Sequence, residues 1–125
     1  MNPFPHSKNV IDTQAALRRL GGDEKLLATM ATFFLEDAPE LLKQLNGALA
    51  SRDLDTVMHR AHSLKGLSAT FDALVFVEIA REVESLAKIK NDSPVIDRKV
   101  SELNDEFEKL ISALRNLGQT TTAAH

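Results

Sequence analysis

The chain has 125 residues, 43% of them hydrophobic, with 15 basic and 18 acidic residues and a formal net charge of −3. That length builds one domain around a single core, and a mildly acidic chain without a basic cluster argues against nucleic acid as the main partner. Zero cysteines exclude disulfides, a thiol nucleophile and thiolate metal sites. No apolar run reaches membrane-spanning length, and residues 1–10 carry two prolines and no signal-peptide core. A cytoplasmic setting without membrane contact is therefore expected.

Residues 1–10 read as a flexible lead-in. Asp12 is placed to cap a short helix that ends at Leu20, where Gly21 and Gly22 stop it. Asp23 caps the next helix, whose apolar seam reads Leu26, Met30, Phe33 and Phe34 and resumes beyond Pro39 as Leu41, Leu42, Leu45 and Leu49. Pro39 either kinks one long helix or opens a second at its first turn. Asp53 begins a segment with a seam of Leu54, Val57, Ala61, Leu64, Ser68 and Phe71. The pattern breaks around Asp72 and returns as Phe76, Ile79, Ala80, Val83 and Leu86. Ser93 before Pro94 opens a last helix with Val100, Leu103, Phe107, Leu110, Leu114 and Leu117 on its seam. Residues 118–125 read as a flexible tail. No strand pattern competes, so the predicted fold is all-α: an antiparallel four-helix bundle over residues 11–117, with the additional short N-terminal helix laid across one end.

The stretch Arg60-Ala61-His62-Ser63-Leu64-Lys65-Gly66 stands out within that pattern. His62 follows the seam residue Ala61 directly, so it lies about 100° round the helix from the core centre, where a side chain is half wet. Asp55, His59 and Gly66 share its strip. Glycine inside a helix costs roughly 1 kcal/mol relative to alanine, and Gly66 carries that cost one turn after the histidine, which suits close approach by a partner. A lone boundary histidine is ordinarily just a surface residue. A metal shared by His59 and His62 would have only two ligands, with no cysteine or HExxH pattern to complete the shell. If the chain reverses at Asp72, His62 faces the region around Glu82, and Glu84 lies within one turn of that level. Its carboxylate would accept the Nδ1 proton and leave Nε2 as the free lone pair, unless Glu84 merely belongs to the charged face with Arg81, Glu82 and Lys88.

The run AHSLKG, followed by Ser68, Ala69, Phe71 and Ala73, resembles the signature of histidine-containing phosphotransfer (HPt) domains. Leu20-Gly21-Gly22-Asp23, the segment from Phe33 to Leu42, and Arg81-Glu82-Val83-Glu84 are similar to other parts of the same family, so the resemblance covers residues 11–117. It implies that His62 is phosphorylated at Nε2, that Lys65 lies beside the phosphoryl group, that Gly66 gives the partner access and that Glu84 orients the imidazole. It also implies a carrier rather than an enzyme, without cofactor or metal of its own, working as a monomer with response-regulator receiver domains and a hybrid sensor histidine kinase. Asp72 departs from the family, which usually has glycine at that turn. Two other readings stay open: the histidine-bearing domain of a chemotaxis-type kinase, and a helical adaptor in which His62 is incidental. The run-out of the chain at Gln119–His125, without a linker or catalytic domain, speaks for a carrier over the first of these.

Overall fold

The computed structural model describes residues 10–123. Among them are five helices and no strand: α1 (Thr13–Arg19), α2 (Glu24–Ala50), α3 (Leu54–Ala69), α4 (Leu74–Lys88) and α5 (Pro94–Ala123). Four of the five begin where a side chain takes up an otherwise unpaired first-turn amide. Asp12 accepts from the Ala15 amide at 3.0 Å, Asp23 from Leu26 at 2.9 Å, Asp53 from Thr56 at 3.2 Å and the Ser93 hydroxyl from Val95 at 3.2 Å. Only α4 starts without such a cap, at Ala73.

Among the described residues, three that are not glycine follow helix ends in the left-handed region: Arg52 (φ 60°), Asp72 (φ 52°) and Lys90 (φ 57°). That conformation costs an L-residue about 1–2 kcal/mol. Each of the three also bonds across the fold: Arg52 with Asp92 and Asp97, Lys90 with Asp55, and Asp72 with Arg19. The first two ties join the α2–α3 and α4–α5 connections at one end of the bundle. At the other end, α1 lies against the α3–α4 turn: the Asp12 amide donates to the Phe71 carbonyl at 3.0 Å, and Arg19 donates to the Ala69 carbonyl at 2.9 Å as well as to Asp72. The bundle with a short helix across one end is thus the architecture observed.

The core draws on all five helices, with Leu45, Val57, Leu64, Phe76, Val83, Ile96, Leu103, Leu110 and Leu114 fully buried. Phe34, Phe71, Phe76 and Phe107 form a chain of aromatic contacts at centroid distances of 5.8–6.2 Å across α2, the turn, α4 and α5. The α3 seam is buried as expected from sequence, including Ser68, whose hydroxyl donates to the Leu64 carbonyl at 2.8 Å. Between α2 and α5, Asn46 and Asn104 exchange amide hydrogen bonds of 2.9 and 3.0 Å, and each also donates to a carbonyl one turn back on its own helix.

One open alternative is resolved and two expectations are corrected. First, of the two readings of Pro39, the single long helix is observed, with α2 running through the proline. The cost of interior proline, about 3 kcal/mol, is overridden because Ala31, Phe34 and Ala38 before it and Leu42 and Leu45 after it bury into one core. Second, the N-terminal seam of α2 is shifted by one position: Leu27, Ala31, Phe34 and Ala38 are buried, whereas Leu26 and Phe33 are 42% and 58% exposed. Leu27 and Phe34 pack inward with Ala31 and Ala38 between and beyond them, while Leu26 and Phe33 face out. Third, the last helix passes Leu117 and continues to Ala123, since a single Gly118 with no following proline or left-handed residue weakens a helix without ending it. Residues 1–9 of the expected lead-in, with His6, and residues 124–125, with His125, lie outside the described residues.

Candidate functional site

The α3 seam packs Ala61 and Leu64 inward, which leaves the neighbouring strip of the helix at the surface. The His62 side chain is accordingly 67% exposed. The antiparallel return of α4 places Glu84 opposite it, and His62 Nδ1 lies 2.8 Å from Glu84 Oε2. The second carboxylate oxygen, Oε1, accepts from Lys65 Nζ at 2.7 Å. One carboxylate therefore holds both the imidazole and the ammonium, and it is itself mostly shielded, with 20% of its side chain exposed.

Burial of Glu84 pushes its pKa up, but the hydrogen bonds from Lys65 and His62 outweigh that and hold the carboxyl below its ordinary value of 4.5. Glu84 is thus a carboxylate at neutral pH and accepts hydrogen bonds only. The proton of a neutral His62 then sits on Nδ1, and the lone pair is on Nε2, turned toward solvent.

Lys65 lies one turn on from His62 along α3. It is drawn to Glu84, on the α4 side of the histidine. Gly66 lies on the opposite side, and a Cβ built on it would meet nothing within 4 Å. That open space continues into a groove between α2 and α3, lined by Glu36, Asp37, Glu40 and Leu41 on one wall and His62, Ser63, Gly66 and Leu67 on the other. Glu40 is steadied by Gln44 Nε2 at 3.1 Å, and Gln44 in turn accepts from Arg60 Nε at 2.6 Å, which ties the two walls together. His59 is exposed on the same helix, and among the described residues no group of three or more His, Asp or Glu side chains is disposed to hold a metal ion.

The site therefore brings together all four residues singled out from sequence, His62, Lys65, Gly66 and Glu84. Sequence reading missed the α2 wall and the Lys65–Glu84 bond. Glu36 and Glu40 share a helix face at i, i+4 spacing, but which face of α2 meets the histidine is settled only by the packing of Ala38 and Leu42.

Compared with known proteins, residues 29–117 match a family model described as "Hpt domain". No curated protein sequence matches the chain. Among solved structures, histidine-containing phosphotransfer protein B (HptB) from Pseudomonas aeruginosa PAO1 superposes with a TM-score of 0.80 at 21% identity, covering 90% of this chain and 96% of that one. The HPT domain of a sensor hybrid histidine kinase from Shewanella superposes with a TM-score of 0.78 at 24% identity, covering 90% of this chain and 97% of that one. At these identities the two structures share the fold. Among the described residues, no helix is long and apolar enough to cross a membrane.

Proposed function

The chain belongs to the Hpt domain family, and from that premise we propose that it carries a phosphoryl group on His62 Nε2, exchanged with the aspartate of a response-regulator receiver domain. The observation that carries this reading is the exposed imidazole whose Nδ1 is occupied by Glu84. Neutral imidazole with a free Nε2 is a good nucleophile at physiological pH. Nε2 attacks the phosphorus of an aspartyl phosphate, the P–O bond to the carboxylate breaks, and the carboxylate departs with the electron pair. The ring becomes an imidazolium whose Nδ1–H remains on the Glu84 carboxylate, so no proton has to leave during transfer. The reverse step returns the group by the same path.

The protein's own contribution is position and charge. Glu84 fixes the tautomer and offsets the positive charge that develops on the ring. Lys65 neutralises part of the Glu84 charge and, one turn from His62, is within reach of a phosphoryl group once one is attached. Gly66 keeps the approach open. The electrostatic stabilisation of the transferring phosphoryl, with its Mg²⁺, is supplied by the partner, which makes this chain a monomeric, cytoplasmic carrier between receiver domains, or between a hybrid sensor kinase and a receiver, rather than an enzyme.

Incubation with a phosphorylated receiver tests the reading. Wild type acquires an acid-labile, base-stable label and His62→Gln acquires none. A label that persists in the folded His62→Gln variant refutes it.

A further inference from the structure

The shifted seam of α2 leaves an apolar surface that the core does not use. Phe33 is 58% exposed and Leu67 of α3 is 41% exposed. Together with Met30 and Phe71 they line a hollow that shares Asp37 and Leu67 with the His62 groove. Among the described residues no lysine or arginine forms an ion pair with Asp37 or with its neighbours Glu36 and Glu40. The N-terminal end of the chain leaves from the rim of this hollow: Asp12 donates its amide to the carbonyl of Phe71, a lining residue, at 3.0 Å, and Val10 and Ile11 pack against the core. Residues 1–9 hold a single aromatic side chain, Phe4 between Pro3 and Pro5, together with Lys8 and no acidic residue.

We propose that residues 1–9 fold back as a strap over this hollow, with Phe4 seated between Phe33 and Leu67 and Lys8 paired with Asp37, so that the chain restrains the access of its own protein partners to His62. The consequence for transfer rests on the phosphotransfer reading above; the docking itself does not. The reach is sufficient. An extended chain covers 3.3–3.6 Å per residue, so the eight steps from Asp12 to Phe4 span at most roughly 29 Å, and the residue to which Asp12 is bonded already lines the hollow. Proline on both sides of Phe4 favours extended backbone, and segments of that kind dock in aromatic-lined grooves at low entropic cost. Phe33, Phe34 and Phe71 supply such a lining, and the charges of strap and wall are opposite. A short tether sets an effective concentration of about millimolar, so a contact too weak to hold two separate molecules together is well populated within one. With the strap in place about two-thirds of the time, a receiver meets about a third of the molecules in open form and binds about threefold more weakly.

The experiment compares full-length wild type, Phe4→Ala and Lys8→Glu in two readouts: the NMR resonances of the Phe33 ring and the Leu67 methyl groups, and initial rates of phosphoryl transfer from subsaturating phosphorylated receiver domains of the source organism, with phosphoramidate as the small donor. Phe4→Ala should move both sets of resonances and raise the receiver rate about threefold, with labelling by phosphoramidate close to wild type and the melting temperature held. Lys8→Glu should raise the receiver rate in low salt, with the gain shrinking in about 0.5 M salt as screening shortens to a few ångströms. Resonances of Phe33 and Leu67 that do not move in Phe4→Ala overturn the proposal, as does a receiver rate that is unchanged or lower. An equal gain with both donors would put the segment over the histidine itself and overturns the assignment to the hollow. A wild-type dimer in sedimentation that Phe4→Ala dissolves assigns the segment to the hollow of a second copy and overturns it too. Absence of His62 labelling from every donor in wild type would instead sink the phosphotransfer reading, and the resonances would still decide the docking.

Discussion

Gly66 offers the sharpest separation of stability from function. Substitution by alanine removes the helix-interior glycine penalty of about 1 kcal/mol. The new methyl meets no atom within 4 Å, so no steric term opposes the gain. For a domain of this size about 1 kcal/mol corresponds to a rise of roughly 4 °C in melting temperature. Gly47, on the exposed side of α2, is equally open and serves as the comparator: Gly47→Ala should give a similar rise by calorimetry or urea unfolding. The two positions should diverge in phosphotransfer. Gly66→Leu stands in the groove one turn from His62 and should slow transfer from a receiver at least about tenfold while the fold stays as stable as wild type, whereas Gly47→Leu should leave transfer unchanged. A fall in melting temperature on Gly66→Ala would refute the reasoning, because it would mean that the glycine is required by the packing of the bundle and not by access to the histidine.

Glu84→Ala should slow phosphoryl acceptance at neutral pH and lower the fraction of His62 in the Nδ1–H tautomer, read by ¹⁵N NMR; an unchanged tautomer ratio would refute its orienting role. Because the folded-state pKa of Glu84 lies below its ordinary value of 4.5, its contribution to stability is present above that value and is lost as pH falls through the depressed one. Glu84→Gln should therefore show a smaller loss of stability below about pH 4.5 than wild type, and an identical acid limb in urea titrations would contradict the ionised, bonded carboxylate. Arg19→Ala, which removes the side-chain bonds from α1 to the α3–α4 turn and leaves the Asp12–Phe71 backbone bond, should cost about 1 kcal/mol and raise amide exchange at Phe71 and Asp72; unchanged exchange would mean that the backbone bond alone holds α1 to the turn. In that background Asp72→Gly should restore about 1 kcal/mol by relieving the left-handed backbone, measurable as a matching return in melting temperature.

The sequence disclosed those features whose cause is local. The caps at Asp12, Asp23, Asp53 and Ser93 are interactions between near neighbours, and all four hold. The α3 seam was legible because leucine, valine and alanine alternate at strict helical spacing with polar residues between them. The N-terminal half of α2 misled because Leu26 and Phe33 follow the same spacing as the buried Leu27 and Phe34 one position away. Hydrophobicity alone ranks both strips alike, and only the fit of Ala31 and Ala38 against neighbouring helices decides between them. Around the histidine, Glu84 was reachable by counting back from the turn at Asp72. The preference of Lys65 for Glu84 was not, since it depends on how deeply α4 shields that carboxylate, and neither was the α2 wall, since it depends on how one helix is rotated against another.

The Asn46–Asn104 pair bears on that rotation. Apolar seams tolerate sliding, because leucine packed on leucine is nearly as favourable one turn further along. Two amides that exchange hydrogen bonds are not so tolerant: a slip of α2 against α5 would strand both, at about 1–3 kcal/mol for each group left unmatched. The pair works as an index pin for the longest two helices of the fold. Asn46 lies two residues along α2 from Gln44, the residue that ties Glu40 to Arg60. What the pin holds in alignment is therefore the carboxylate wall opposite His62, and replacing both asparagines by leucine should yield a bundle that still folds but presents that wall at more than one height, with phosphoryl transfer spread over several rates instead of one.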